Sequence, residues 1–246
     1  MNARSLITAV TSVVVLWAVD VHGAEWSVAG FLGAAHTQES SIRLIQPPDS
    51  TDVKVSPVVY RAASFEAPIY YGYRIGCFPG SRWVGVEGEF IHLKVIADTS
   101  RPALFAGTLK GAAVSETQPI AAAMERFSIT HGVNLVLVNA VVRHRVGRDD
   151  APPRWFMTGH VGIGASVPHV ESTIAGASLE HYEWGAFSVQ GAAGVELRLA
   201  RRVYLAGEYK LTRTVQDVSV VNGSVNTPLT THHFVTGIVA HLGAFE

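Results

Sequence analysis

The chain is poor in charge, has almost no cysteine and, past its first two dozen residues, lacks long apolar runs. Charged residues are 16% of its 246, against about 25% in an ordinary soluble domain. Something other than a charged surface must keep it in its medium. The single cysteine, Cys77, excludes an internal disulfide, the usual staple of small exported domains. Beside aromatic residues it reads as a small apolar side chain. Lys plus Arg (19) nearly balance Asp plus Glu (20), so no global charge argues for nucleic acid. Beyond the N-terminus no apolar run reaches the ~18 residues that mark a membrane helix. No HExxH, GxSxG, Walker or cysteine-based zinc pattern is present, so motifs alone name no reaction.

What is present begins with an export signal. Arg4 supplies a positive start, Leu6–Val19 an apolar core and Val21-His22-Gly23 a small-residue cleavage site. This is the anatomy of a secretory signal peptide. Residues 1–23 are assigned to it, with cleavage after Ala24 as the alternative, and a retained anchor helix is the other reading of the segment.

Residues 24–246 read as one domain of alternating segments rich in Gly, Val, Ala and aromatics. Strands are expected near Trp26–Thr37, Phe65–Phe78, Arg82–Ala97, Glu125–Arg145, Arg154–Val170, Tyr182–Leu199, Val203–Val218 and Leu229–Leu242. Their connections run long, short, long, short, long, short, with Ser219–Pro228 as a final loop. That wiring over eight strands predicts an all-β fold, an antiparallel transmembrane barrel of the bacterial outer membrane. A soluble periplasmic β-sandwich is the rival. Periodicity of two decides the faces. Phe187, Val189, Val195, Leu197, Val203, Leu205, Tyr209 and Leu211 are expected towards lipid. Glu87, Glu89, His160, Glu196, Arg198, Glu208 and Lys210 are expected inside, as ion pairs filling a lumen too narrow for an open pore.

With the N-terminus periplasmic, the upward strands carry their polar groups near the outer leaflet. EFIHLKVIAD (Glu89–Asp98) places His92, Lys94 and Asp98 there. His36, Glu66, Tyr70, Tyr71, His131, His169, Glu171, His181, His232 and His233 fall at the same height. Interfaces gather such amphipathic rings without chemistry. The adjacent second to fifth strands, however, bring Glu66, His92, Asp98, His131, His169 and Glu171 into one candidate patch. Histidine with carboxylate is a first-row metal-ligand set or an acid–base set. His169 and Glu171, two apart, share a strand face.

The strings SFEAPIYYGYRIG (Ser64–Gly76), EFIHLKVIAD, RFSITHGVNLVLVNAVVR (Arg126–Arg143) and VGIGASVPHVE (Val161–Glu171) resemble the lipid A oxidase family of Gram-negative outer membranes. The closing strands VELRLARRVYLAGEYKLTR and THHFVTGIVAH look similar too, while the first two external loops match least. The resemblance implies oxygen-dependent oxidation of the proximal glucosamine of lipid A to an aminogluconate unit, with a divalent metal as cofactor. It also implies a site at the outer leaflet, where lipid A is the partner, and the chain is expected to act as a monomer. No catalytic constellation carries over residue by residue. From the residues themselves, His92, His131 and His169 are the candidate ligands or bases, with Glu171, Asp98 and Glu66 positioning them. His131, His169 and Glu171 form the candidate metal set, and Lys94 or Arg61 would pair with a lipid phosphate. The competing functions are a non-catalytic barrel and a deacylase starting from Ser128 beside His131. One departure from the barrel pattern is the ending HLGAFE, which puts Glu246 after the aromatic Phe245.

Overall fold

The computed structural model describes residues 24–80, 83–146 and 153–242. The expected signal peptide, most of the VGRDDAPP connection and the final Phe245-Glu246 lie outside the described residues.

Eight strands close on themselves. They are β1 (Glu25–Thr37), β2 (Tyr71–Phe78), β3 (Val84–His92), β4 (Leu135–Val146), β5 (Trp155–Ser166), β6 (Phe187–Ala200), β7 (Val203–Val220) and β8 (Gly223–Leu242). Each pairs antiparallel with the next, and β8 returns to β1 from Trp26↔Leu242 to Thr37↔Thr231. The expected all-β, eight-stranded antiparallel barrel is what the chain forms, and no described helix is long and apolar enough to cross a membrane.

Alternation along each strand sorts the side chains by face. Outward stand Val84 and Val86 on β3, Val136, Val138 and Val142 on β4, and Trp155, Met157, Val161 and Ile163 on β5, all exposed. From Trp155 to Ile163 this row runs about 26 Å along the strand at ~3.3 Å per residue, enough to cross most of an apolar band ~25 Å tall. So large a continuous apolar surface is foreign to a soluble monomer.

The inside is the reverse. Lys210 is held between Glu89 and Glu208 (2.5 Å to the latter), and the side chains of Lys210 and Glu89 have no solvent exposure. Asn139 and Gln190 donate to the second oxygen of Glu89 at 2.8 and 2.6 Å. Arg74 donates to Glu208 at 2.9 Å, and His160 lies 3.0 Å from Glu87 and 3.3 Å from Glu208. Nearer the short-connection end, Glu25 takes both Arg143 (2.8 Å) and His241 (2.9 Å), and His241 reaches Glu196 at 3.0 Å. Apolar outside and ion-paired inside is the distribution of a membrane-spanning barrel. The lumen is filled.

Three corrections concern the connections. Gln38–Ser64 and Thr99–Met124 are not loops. They hold strands Ser40–Gln46, Thr51–Val58, Pro102–Leu109 and Ala112–Pro119, which extend the sheet outward from the upper half of β8. Ser219–Pro228 is no loop either. Val221 and Asn222 turn β7 directly into β8, with Val220 paired to Gly223 and Asn222 left-handed at φ 57°, a conformation asparagine tolerates. Finally, the expected third, fourth and fifth strands each break above the barrel, and the expected Glu171–His181 connection is itself strand. The upper pieces Val95–Ala97, Arg126–Ile129 and His169–Ile174 join Tyr60–Arg61, from the expected first connection, and Ala177–Tyr182 in a separate five-stranded sheet.

That second sheet keeps the lateral order of the wall beneath it, and its inner face closes the mouth. Tyr60, Val95, Phe127, Ile129, Val170 and Ile174 pack there against Ile42, Val53, Val55 and Phe105 of the extended sheet, in one core continuous with Ile91 and Leu135 of the barrel. The result is a soluble-type core resting on a polar lumen.

Candidate functional site

Two observations locate the site. The alternation of β3 continues through its break: Leu93, Val95 and Ala97 point to the core, leaving His92, Lys94 and Ile96 on the face that carries Val84 and Val86 below. The outer face of the upper sheet is therefore the upward continuation of the lipid-facing wall. Second, one cross-strand row runs the full width of that sheet. Arg61 pairs with Ile96, Ile96 with Ser128, Ser128 with Glu171 and Glu171 with Glu180. Residues directly opposite in antiparallel pairs hold their Cβ atoms about 5 Å apart, so the register alone assembles the row.

A cleft of about 500 Å³ opens along it, lined by that row together with Glu66, Ala67, Pro68, Lys94, Arg126, Thr130 and His131. The histidines converge at one end. His169 shares the outer face with Glu171 two residues on, as its spacing predicts. His131 arrives from the turn between Arg126–Ile129 and β4. Gly132 (φ 102°) and Asn134 (φ 48°) are left-handed in that turn, and a side chain at Gly132 would collide with the His92 ring. Backbone bonds fix the turn to β5's continuation: His169 N–H donates to the Gly132 carbonyl (3.1 Å) and Val167 N–H to the Asn134 carbonyl (3.0 Å).

The atoms that meet are His131 Nδ1 and His169 Nδ1, 3.2 Å apart, and Glu171 Oε1, 3.4 and 3.8 Å from them. His169 Nε2 lies 3.3 Å from Glu180 Oε1. Glu171 is itself held: the Thr130 hydroxyl donates to Oε1, and Arg126 pairs with Oε2. Among the described residues this is the one group of His, Cys, Asp and Glu close enough to share an ion. Glu180 was not foreseen from sequence. Its signal was there, since the Ala175-Gly176 turn between His169–Ile174 and Ala177–Tyr182 puts it opposite Glu171.

The remaining candidates are distributed differently. Glu66 and Arg61 line the cleft and pair with each other. Lys94 lines it too, yet its Nζ donates to the carbonyls of Glu66 and Ala67, both at 2.9 Å, so it holds that segment in place. His92 stays behind the group, with Nδ1 3.0 Å from Asn134 Oδ1 and its ring stacked on Tyr71 at 4.9 Å. Asp98 stands apart. It binds Ser100 and Arg101, and Ser100's hydroxyl chiefly holds its carboxyl below the usual range. Of the other rim histidines, His233 faces inward to Tyr70 and Thr212, because β8 alternates and only His232 can face out. His36 and His232 neighbour each other elsewhere on the rim, at 6.3 Å.

No protein-family model and no curated protein matches the chain. Solved structures similar to it include the outer-membrane protein OprG of Pseudomonas aeruginosa, with 11% identity and a TM-score of 0.48 over 90% of this chain and 97% of that one. The outer-membrane protease OmpT of Escherichia coli shares 4% identity with a TM-score of 0.43, over 90% and 97%. Neisserial surface protein A shares 10% with a TM-score of 0.36, over 89% and 99%. Likenesses this distant transfer no function.

Proposed function

We propose that this protein is a lipid-modifying enzyme of the bacterial outer membrane, which oxidises the proximal glucosamine of lipid A in the outer leaflet. One observation carries the reading: the cleft lies on the outer face of the wall, directly above the apolar belt, and not in the lumen. A bilayer lipid reaches such a cleft sideways, with its acyl chains against Val86 and Val138 and its headgroup at the level of Lys94 and His131. A water-soluble substrate has no need of that placement.

The lining suits a phosphorylated sugar. Arg61 meets the phosphate by exchanging Glu66 for it, as a guanidinium can do bidentately. Lys94 adds positive field from beneath without leaving its two carbonyls. The sugar's reducing end then lies towards His131, His169 and Glu171. Its anomeric carbon, bearing a free hydroxyl, gives up two electrons together with the C–H and O–H protons to dioxygen, which leaves as hydrogen peroxide; the phosphate met by Arg61 stands elsewhere on the lipid. Water opens the resulting lactone to the aminogluconate unit, one oxygen heavier than the starting sugar. The resemblance of EFIHLKVIAD, RFSITHGVNLVLVNAVVR and VGIGASVPHVE to lipid A oxidases points the same way, since those strings contain His92, Lys94, His131, His169 and Glu171.

Mass spectrometry of lipid A from cells with and without this gene tests the reading. The gene should add the species one oxygen heavier. Identical lipid A profiles in aerobic cells producing the folded protein would leave a non-catalytic barrel.

A further inference from the structure

Oxidation by dioxygen is chemistry that protein side chains do not perform unaided, and the convergence of His131, His169 and Glu171 offers the missing part. We infer that His131 Nδ1, His169 Nδ1 and Glu171 Oε1 form a three-ligand seat for one divalent first-row metal ion, of the two-histidine, one-carboxylate kind that takes iron(II). The reaction served rests on the function proposed above; the binding of the ion does not.

Spacing is the first ground. Ligands ~2.0–2.2 Å from a shared ion stand about 3.0–3.5 Å from one another. Two of the three distances here, 3.2 and 3.4 Å, fall in that span, and the third, 3.8 Å between His169 Nδ1 and Glu171 Oε1, closes to it by a small side-chain rotation. Proton accounting is the second. Without an ion, two ring nitrogens and a carboxylate oxygen face one another, and each bare lone pair in that triangle needs a proton or a cation. Oε1 already accepts from Thr130 and Oε2 from Arg126, so the carboxylate is supported from outside the triangle. One cation at the centre satisfies all three atoms at once.

The surroundings are the third ground. A metal-bound histidine commonly gives its other ring N–H to a carboxylate, which fixes its tautomer and orientation. Glu180 stands 3.3 Å from His169 Nε2 for that role. Arg126 and Thr130 orient Glu171 in the same way, so each buried ligand has a partner behind it. His131, Glu171 and Glu180 line the cleft, so the group borders open space on that side. Two histidines and one carboxylate with open positions is the donor set of non-haem iron oxygenases. When bound, such an ion supplies a place where dioxygen and a sugar oxygen can meet.

Iron(II) titrated anaerobically into the full chain, folded in detergent and stripped by chelator, tests the site. Nitric oxide serves as the paramagnetic-resonance probe. We expect saturation at one ion per chain. Alanine at His169 or at Glu171 should abolish it, and Glu180→Gln should weaken it by about 10- to 100-fold. His36→Ala should leave it unchanged, because His36 sits beside His232 elsewhere on the rim. Heat-dependent gel migration reports that each variant is folded. No saturable binding by the folded wild type, or unaltered binding in both alanine variants, overturns the inference. The two proposals separate cleanly: an ion bound without any lipid A product leaves the seat and sinks the oxidase, whereas oxidation that survives metal removal does the opposite.

Discussion

His131 and His169 lie 38 positions apart in the chain, and their Nδ1 atoms stand 3.2 Å apart in the fold. The backbone makes the meeting, because the His169 N–H is bonded to the carbonyl of Gly132, the residue after His131. Gly132→Ala should therefore dislodge His131. A left-handed alanine costs about 1–2 kcal/mol, and the new methyl also meets the His92 ring. The barrel should still form and show its heat-shifted gel band, while ion binding and lipid A oxidation fall together. Full activity in this variant would mean that His131 is not part of the site.

The lumen gives a stability prediction independent of function. Lys210→Met leaves Glu89 buried with Asn139 and Gln190 as its donors but no cation in contact. Removing one partner of a buried ion pair costs about 3–5 kcal/mol, so the variant should lose its folded band at markedly lower temperature or denaturant. The double variant Lys210→Met with Glu89→Gln should recover much of the loss. Equal losses in both would show that the pair is not the source.

The height of the belt can be checked by paired arginine substitutions. Val142 faces outward opposite Gly159, midway along the row from Trp155 to Ile163, exposed to the apolar surroundings. Arginine there should cost about 2–4 kcal/mol, the midplane value, falling to ~0–1 near the interface. Ser178, exposed on the upper sheet beyond the belt, should accept arginine at the lower cost. Reversible unfolding in lipid vesicles measures both. Comparable costs at the two sites would place the upper sheet inside the membrane and move the cleft with it.

Much of this architecture was legible because period-two alternation is strict in a two-faced wall. Glu89, Glu208 and Lys210 were read as inward-facing for that reason, and so were Val195 and Leu205 as outward-facing. The failures come from residues that periodicity does not describe. Val221-Asn222 falls within an expected loop, although it is the two-residue turn of the β7–β8 hairpin. Gln38–Ser64 and Thr99–Met124 read as loops from their polar or Ala-, Gly- and Thr-rich composition, yet each holds a hairpin, and these are secured by distant partners such as β8. At the site, His169 and Glu171 are visible as an i, i+2 pair. Glu180 is not, because its register depends on the Ala175-Gly176 turn, which lies inside a stretch that reads as a connection. Asp98 was grouped with the others by height alone, and its turn with Ser100 and Arg101 carries it away.

Orientation follows from the same wall. The tip between Pro102–Leu109 and Ala112–Pro119, at Lys110-Gly111, belongs to the end that carries the cleft. Lys110→Cys should react with a membrane-impermeant maleimide on intact cells, whereas Cys77, on β2 near the short-connection end, should not. Labelling only after the outer membrane is permeabilised would invert the barrel and remove lipid A from reach of the cleft.

The most direct measurement places the purified, iron-loaded chain in vesicles containing lipid A with a free anomeric hydroxyl and follows the lipid by mass spectrometry with and without oxygen. The account predicts a product one oxygen heavier, formed only in oxygen by the wild type, and absent with folded His169→Ala. Unchanged lipid A in the presence of oxygen and a fully occupied metal seat would contradict it.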